Sequence, residues 1–576
     1  MDLTPLLSPR SVAVIGASQK GGRATGAVRN LLELGFKGGI YPVNPKYETV
    51  LELPCYPSLA AIPGPVDLVA IGIPSEQIAP LLEEAHQKGV RAAVILASGY
   101  GEAGPAGRER QAALEAFARR TGMLICGPNC LGMINFHERS AGYTSTSPKD
   151  VATGDVALVS QSGTVVVALI RSLRGIAFSH MVSSGNEAVV TSADYLRFLA
   201  GDPRVKVLAA FIEGIKRPAA FVAAAEAART AGKPLILVKT GRSELGGAAS
   251  AAHTGSLAGS AAVQRALFRQ KAIVQCDDLD EWLEAIELFR LAKPPQGRGI
   301  GLIGVSGGQN ALVLDHAAEL GLEVPPLSAA GREKLAALLP WYARPENPID
   351  PTGAIGDDLS IYRRCLEILA AEPAIGLVAV SQDSPAHFDL PVSQLTAEVA
   401  RQSAKPFVFF SNISGPYRPE VPAILRAAGV PYLQGIRESL KAIKSLFDYH
   451  ASRAAPARPA RRDAARRSSA LAILGNSGPM VSEEAAKSLL ALYGFPVVRE
   501  TRATTPAAAL AAAAAIGYPV AAKVVSPDIA HKAAIGGVRL DIASSAALEE
   551  AYAGIHKDVA ARGGPAARPR PHRPPP

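Results

Sequence analysis

Along the first 140 residues, short runs of branched apolar residues alternate with longer stretches whose apolar positions return every three to four residues. The runs "SVAVIGAS", "GGIYPVNP", "VDLVAIGIP", "RAAVILASG" and "MLICGPN" each end in Gly, Pro, Ser or Asn, residues that stop a strand and turn the chain. Strands alternating with helices predict an α/β fold with a doubly wound parallel sheet, which collects ligands at the carboxyl ends of its strands. The pattern restarts twice, in "DVALVSQSGTVVVALIRSL" (Asp155 to Leu173) and "GIGLIGVSGGQNALVLDHAAEL" (Gly299 to Leu320), each a buried strand, a Ser/Gly turn and an apolar helix. This is an internal repeat of two related domains. The expected organisation is a Rossmann-like domain over 1–145, flavodoxin-like domains over 150–292 and 297–450, a basic Pro/Ala/Arg linker over 451–470, a fourth unit over 471–558 and a disordered tail over 559–576.

Composition narrows the class. At about 150 residues per domain, a chain of 576 residues holds about four, and 48% hydrophobic with 19% charged residues fits well-buried globular domains. No run of about 20 apolar residues is free of charges or turn formers, and the amino-terminal stretch lacks the basic and apolar regions of a leader. A soluble, cytoplasmic protein without a membrane partner is expected. Cys55, Cys126, Cys130, Cys276 and Cys365 are odd in number and scattered, which argues against a disulfide framework. The CxxxC of Cys126 and Cys130 has no second Cys/His pair beside it and reads as buried thiols, so no metal site is assigned. The net charge of +9 is concentrated in Ser452 to Ser469 and Ala561 to Pro576, both Pro/Ala/Arg-rich. It therefore carries no nucleic-acid signal.

After the first strand the chain reads "GASQKGG", with Gly16, Ser18 and Gly21 at the fingerprint positions of a dinucleotide site, the middle glycine replaced. The second strand ends in Asn44, Pro45 and Lys46, where an NAD site needs an acidic residue for the ribose. A lysine there favours a phosphorylated ribose, and helix amides around Ser18 suit a pyrophosphate, so a 3′-phosphorylated ADP such as coenzyme A fits. NADP and a plain helix cap remain alternatives. Pro74, Ser98 and Asn129 lie on turns at the same strand ends.

The two repeats each set hydroxyls and glycines at a helix start: Ser160, Ser162, Gly163 and Thr164 in one, Ser306, Gly307 and Gly308 in the other. A helix N-terminus stabilises an anion by about 0.3–1 kcal/mol when exposed and up to about 2 kcal/mol when partly buried, and two could converge on one phosphate. Between them lies His253, in a stretch made almost wholly of Gly, Ala, Ser and Thr that permits movement. Imidazole attacks phosphorus through one nitrogen when a carboxylate holds the other N–H. Glu213, at the end of an apolar strand, is the candidate, although Lys216 or Arg217 would serve equally as its partner.

The order "VAVIGAS…YPVNPKY…GPNCLG…SQSGT…FIEGI…SAAHTGSLAGS…SGGQ…NPIDPTG…HKAAIGGV" resembles the single-chain ADP-forming acyl-CoA synthetases, relatives of succinyl-CoA ligase, over residues 1 to about 555. The resemblance implies a CoA-binding domain, two succinyl-CoA ligase-type domains and a partial ATP-grasp domain. It implies that acyl-CoA and phosphate yield acyl phosphate and CoA, that His253 held by Glu213 takes the phosphoryl group, and that His531 relays it to ADP, with Lys523 facing the nucleotide phosphates. The implied partners are CoA, a small carboxylic acid, phosphate, an adenine nucleotide (ATP/ADP) and Mg2+. Two departures stand out: Ala533 and Ala534 follow "HK" where polar residues are usual, and the segment with the magnesium-binding carboxylates is missing from this chain, so little ATP formation is expected of it alone. The rival readings are a CoA-binding regulatory protein or half-reaction enzyme, and an NADP oxidoreductase, which lacks a hydride-transfer site. The acid, ADP against GDP, and assembly into a homo-oligomer stay open.

Overall fold

The computed structural model describes residues 1–172, 174–248, 260–356, 358–383, 386–415, 418–454, 463–475, 481–526, 529 and 531–562. It divides into two units, Met1–Pro456 and Ala457–Pro576.

The first sheet holds β1 (Ser11–Ile15), β2 (Gly39–Val43), β5 (Leu68–Ile71), β6 (Ala92–Ile95) and β7 (Leu124–Cys126), all parallel, in the order β2-β1-β5-β6-β7; β3 (Thr49–Val50) and β4 (Leu53–Pro54) form a separate hairpin. β1, β5 and β6 are buried along their whole length, as parallel strands covered by helices on both faces must be.

The second sheet holds β8 (Gly132–Asn135), β9 (Ser140–Ala141), β10 (Thr153–Ser160), β11 (Phe178–Ser183), β12 (Val207–Ile212), β13 (Leu235–Lys239) and β14 (Val274–Cys276), in the order β14-β13-β12-β10-β11-β8-β9. β8 and β9, which the sequence reading places within 1–145, belong here: β8 pairs antiparallel with β11 and covers its open edge. The third sheet is β15 (Ile300–Gly304), β16 (Leu377–Ser381), β17 (Phe407–Ser411) and β18 (Tyr432–Gln434), with Ile349 bridged to Ile303 on the other side of β15. Counting strands by appearance within each sheet, the parallel strands run 2-1-3-4-5 in all three, the lone Ile349 bridge standing for strand 2 of the third. That order puts the ligand crevice beyond strands 1 and 3.

The second and third sheets meet through the helix Leu279–Leu291, whose Trp282 is fully buried and donates from Nε1 to the Ile236 carbonyl at 3.1 Å. The same helix buries three carboxylates. Glu284 meets Arg174 at 2.7 Å and accepts the Gln434 amide at 3.0 Å; Glu287 meets Arg426 at 2.5 Å and Arg290 at 3.3 Å; Glu281 meets Lys441 at 2.9 Å. Burial pushes the Glu284 carboxyl up to about 7, against the pull of Arg174.

The second unit has helices Ala464–Gly475, Glu483–Leu492 and Pro506–Ile516, the antiparallel pair β19 (Val520–Lys523) and β20 (Val538–Ile542), and the helix Ser545–Arg562 around a small core of Ala513, Ile542, Leu548 and Ala551. Helix replaces expected linker and tail at several points: Ile436–Ala454 runs past 451, Ala464–Gly475 begins inside 451–470, and Ser545–Arg562 runs past 559. Alanine and arginine are strong helix formers, which outweighs the basic, Pro-containing composition there. The rest of the expected linker (455–462) and tail (563–576) lies outside the described residues. No described helix is long and apolar enough to cross a membrane.

Replacing Arg426 with Ala removes the shortest partner of Glu287, a carboxylate 1% exposed. A loss of about 3 kcal/mol is expected, because a buried charge is left with Arg290 alone; the urea midpoint of the Met1–Pro456 unit measures it.

Candidate functional site

At the first crevice Gly16 has φ +86, and a Cβ there would stand 2.9 Å from Ile73 Cγ2 and 3.1 Å from the Gly72 carbonyl oxygen. Only glycine suits both the conformation and the approach. The following helix is Arg23–Leu34 with Gly22 as its cap, so the helix amides gather at Gly22 and not around Ser18. Two further glycines with positive φ, Gly21 and Gly22, delay the helix start. The Ser18 hydroxyl accepts the Lys20 amide at 3.1 Å and bonds the Tyr47 hydroxyl at 3.3 Å; the Asn44 amide donates to the Ala17 carbonyl at 2.8 Å. Ser18 and Asn44 thus fasten two strand-end loops together. Lys46, Pro74 and Ser98 are exposed at the ends of β2, β5 and β6.

A cavity of about 440 Å³ lies between the first two sheets. Asn129, Ser162, Gly163, Thr164 and Glu213 all line it, so candidates from three separate stretches of sequence come together. Gly163 begins the helix Gly163–Arg171, and a Cβ on it would stand 2.7 Å from Leu131 Cγ, so the helix end reaches the Asn129 loop only because the residue is glycine. Ser162 is the cap residue, yet its hydroxyl makes no capping hydrogen bond. Ser160 is buried and shapes the turn: its hydroxyl donates to the Ser162 carbonyl at 2.7 Å and accepts the Ser162 amide at 3.2 Å.

Among the further residues that line the cavity and were not taken as site residues are Arg23, Gln161, Asn186 and Lys216. Gln161, 9% exposed, accepts the amides of Glu213 at 2.6 Å and Gly214 at 2.9 Å through Oε1 and donates to the Gly214 carbonyl at 2.8 Å through Nε2. Asn186 joins four segments: its amide donates to the Pro128 carbonyl at 2.9 Å, its side chain meets Glu102 and accepts from Asn129 at 3.4 Å, and its carbonyl accepts from Lys216. Arg23 donates to the Leu96 carbonyl at 3.0 Å. Burial pulls the Lys216 ammonium below its ordinary range, with Glu187 opposing. Lys216 lies three residues after Glu213, a signal the sequence carried. Arg217, the other candidate partner of Glu213, meets Asp194 and donates to Thr191 Oγ1 at 2.9 Å.

The second Ser-capped helix sits elsewhere. Ser306 caps Gly307–Leu320 by accepting the Gln309 amide at 3.4 Å, and Gly307 and Gly308 are exposed, but none of the three lines the cavity. His253 lies outside the described residues. In the second unit Lys523 meets Glu483 and, at 3.0 Å, Glu500; Lys532 meets Glu483 at 2.8 Å, and His531 is exposed. Lys523, Lys532 and Lys487 together hold the Glu483 carboxyl far below the usual range. Among the described residues no group of three or more His, Cys, Asp or Glu could hold a metal ion.

The first crevice thus meets the Gly163 helix end and Glu213 across one cavity. Residues 10–135 match the CoA binding domain, 153–289 the succinyl-CoA ligase like flavodoxin domain and 473–569 the ATP-grasp domain. A trans-feruloyl-CoA synthase of an unknown prokaryotic organism is 33% identical over 96% of this chain and 79% of its own. The ADP-forming acetate–CoA ligase I of Archaeoglobus fulgidus is 31% identical over 97% of this chain and 80% of its own. Among solved structures, the dinucleotide-forming acetyl-coenzyme A synthetase 1 of Ca. Korarchaeum cryptofilum, in complex with phosphate and ADP, aligns with a TM-score of 0.71 and 29% identity over 78% of this chain and 97% of that one. The chain belongs to the ADP-forming acyl-CoA ligases, a family of acid–thiol ligases.

Gly185 has φ +58, and a Cβ on it would stand 2.4 Å from the Pro128 carbonyl oxygen. Gly185→Ala is expected to cost about 1–3 kcal/mol from the backbone conformation alone and to weaken CoA binding by parting the cavity walls. Chemical denaturation and calorimetry with CoA measure the two effects.

Proposed function

We propose that this chain interconverts acyl-CoA, ADP and phosphate with a carboxylic acid, CoA and ATP, and that the cavity between the first two sheets is where the thioester meets phosphate. The carrying observation is the convergence of Asn129, Ser162–Thr164 and Glu213 on one space with Arg23 and Lys216. In this reading CoA lies along the strand ends of the first sheet, with Lys46 toward its 3′-phosphate, and its thioester enters the cavity. Phosphate, held by the Gly163 helix end, attacks the acyl carbonyl; the C–S bond breaks and CoA leaves as the thiol. His253 then attacks the phosphorus of the acyl phosphate and the carboxylate departs, while Glu213 holds the imidazole N–H that does not react. Lys523 and His531 serve the nucleotide. The described residues do not fit a magnesium site, and no step is assigned to one. In this reading the chain works in the cytoplasm, where CoA and ADP are both at hand.

Acetyl-CoA with labelled inorganic phosphate, without nucleotide, is expected to label the chain with an acid-labile, base-stable phosphoramidate. His253→Ala should abolish the label and Glu213→Gln should slow it. Persistent label in His253→Ala overturns the carrier; no label in a chain that still binds CoA favours a CoA-binding protein without turnover. Calorimetry should show CoA preferred over dephospho-CoA by about 1.5–3 kcal/mol, a preference lost in Lys46→Ala.

A further inference from the structure

Lys239 is the last residue of β13 and is 4% exposed. Its ammonium donates to the Glu213 carbonyl at 2.7 Å and to the Thr240 carbonyl at 2.6 Å. Both acceptors are neutral. A cation this deep loses its hydration and recovers only part of it from two carbonyls, a cost that core packing does not require of a strand end.

From the opposite side, Gln161 takes the amides of Glu213 and Gly214 and bonds the Gly214 carbonyl. The N–H and C=O of both residues are therefore held by two buried side chains from two neighbouring strands. The Thr240 amide, next along from Lys239, donates to the Ile212 carbonyl at 3.1 Å, so the ends of β12 and β13 are tied by main chain as well. Main-chain bonds alone would have joined the two strand ends; the side-chain clamp adds a fixed orientation for the one carboxylate-bearing residue between them.

The geometry points to Lys239 as a positioning residue for the phosphoryl transfer, a buried cation that fixes the backbone of Glu213 so that its carboxylate faces the cavity in one orientation. This rests on the role proposed above for Glu213. Lys239 does not line the cavity and acts on the transfer through Glu213, so its effect on the rate must vanish where Glu213 cannot act.

The test is a double-mutant cycle on the full chain, read as the single-turnover rate of labelling by acetyl-CoA and labelled phosphate, with the KM of each substrate. Lys239→Met is expected to slow labelling about 100-fold, the scale of a misplaced catalytic group, with both KM values held within about two-fold. Lys239→Arg, which keeps the charge and the donors, should restore most of the rate. In a Glu213→Gln background, Lys239→Met should slow labelling no further. An equal slowing in both backgrounds would make Lys239 a general structural residue and overturn the inference, as would an unchanged rate in Lys239→Met. Lys239→Gln, which keeps a donor and drops the charge, stands in if the Met variant does not bind CoA; loss of CoA binding in both overturns the inference too. A wild-type rate in Glu213→Gln alone strikes instead at the proposed role of Glu213, so the two failures are distinguishable.

Discussion

The site depends on how closely two turns approach. The stretch Gly127–Leu131 ends the first sheet and the turn Ser183–Asn186 ends β11 of the second, and their backbones touch directly: Asn186 donates to the Pro128 carbonyl at 2.9 Å and Ala188 to that of Gly127 at 3.0 Å. The Leu131 amide adds a bond to the Ser183 hydroxyl at 3.1 Å. No side chain can be inserted at Gly185, so the two ligand edges are held at main-chain distance and share one cavity wall. Two doubly wound sheets joined less closely would offer two separate crevices. Joined this way, the strand ends of one lead toward the helix end and Glu213 of the other.

The three sheets repeat one topology and diverge at the crevice. In the second, the hydroxyl of Ser162 stays out of the cap, the helix end opens on the cavity, and strand 3 leads straight into Glu213. In the third, Ser306 uses its hydroxyl as the cap, and the register places Asp383 where the second has Glu213, with its carboxylate accepting the Asn412 amide at 3.0 Å. The same fold position thus holds an open helix end in one copy and a capped one in the other. Hydrogen-bond partners, not topology, make the difference.

Much of this was legible in the sequence. Strand runs of Val, Ile, Leu and Ala closed by turn residues report burial on both faces, and β1, β5, β6, β10 and β12 follow them closely. Asn129, Ser162, Gly163, Thr164 and Glu213 were each picked out because they stand at a strand end or helix start where such folds bind ligands, but for two separate sites, Asn129 with CoA and the others with Ser306, Gly307 and Gly308; the cavity joins the first five and leaves the last three out. What escaped were side chains that act on distant backbone. Gln161 and Asn186 look like ordinary turn residues, and only the folded chain shows their amides meeting Gly214 and Glu102. β8 and β9 escaped because strands three or four residues apart in pattern do not declare which sheet they join. The helix start was misplaced by four residues because Ser18 resembles a cap, whereas Gly21 and Gly22, both with positive φ, keep the chain non-helical until Arg23.

Charge is balanced in opposite ways in the two units. In the cavity, Arg23 and Lys216 each donate to a neutral carbonyl oxygen, which takes one of their hydrogens and leaves their charge in place. Glu187, which faces Lys216, is buried, and burial raises its carboxyl and weakens its claim on that charge. The cavity therefore keeps positive potential for an anion against the single carboxylate of Glu213. In the second unit, Lys487, Lys523 and Lys532 face Glu483 and Glu500, so each cation is answered by a carboxylate. These groups are partly exposed, and an exposed ion pair contributes about 0–1 kcal/mol, so the cluster adds little to stability. The first arrangement sets its two cations against main-chain carbonyls, and the second sets each of its cations against a carboxylate.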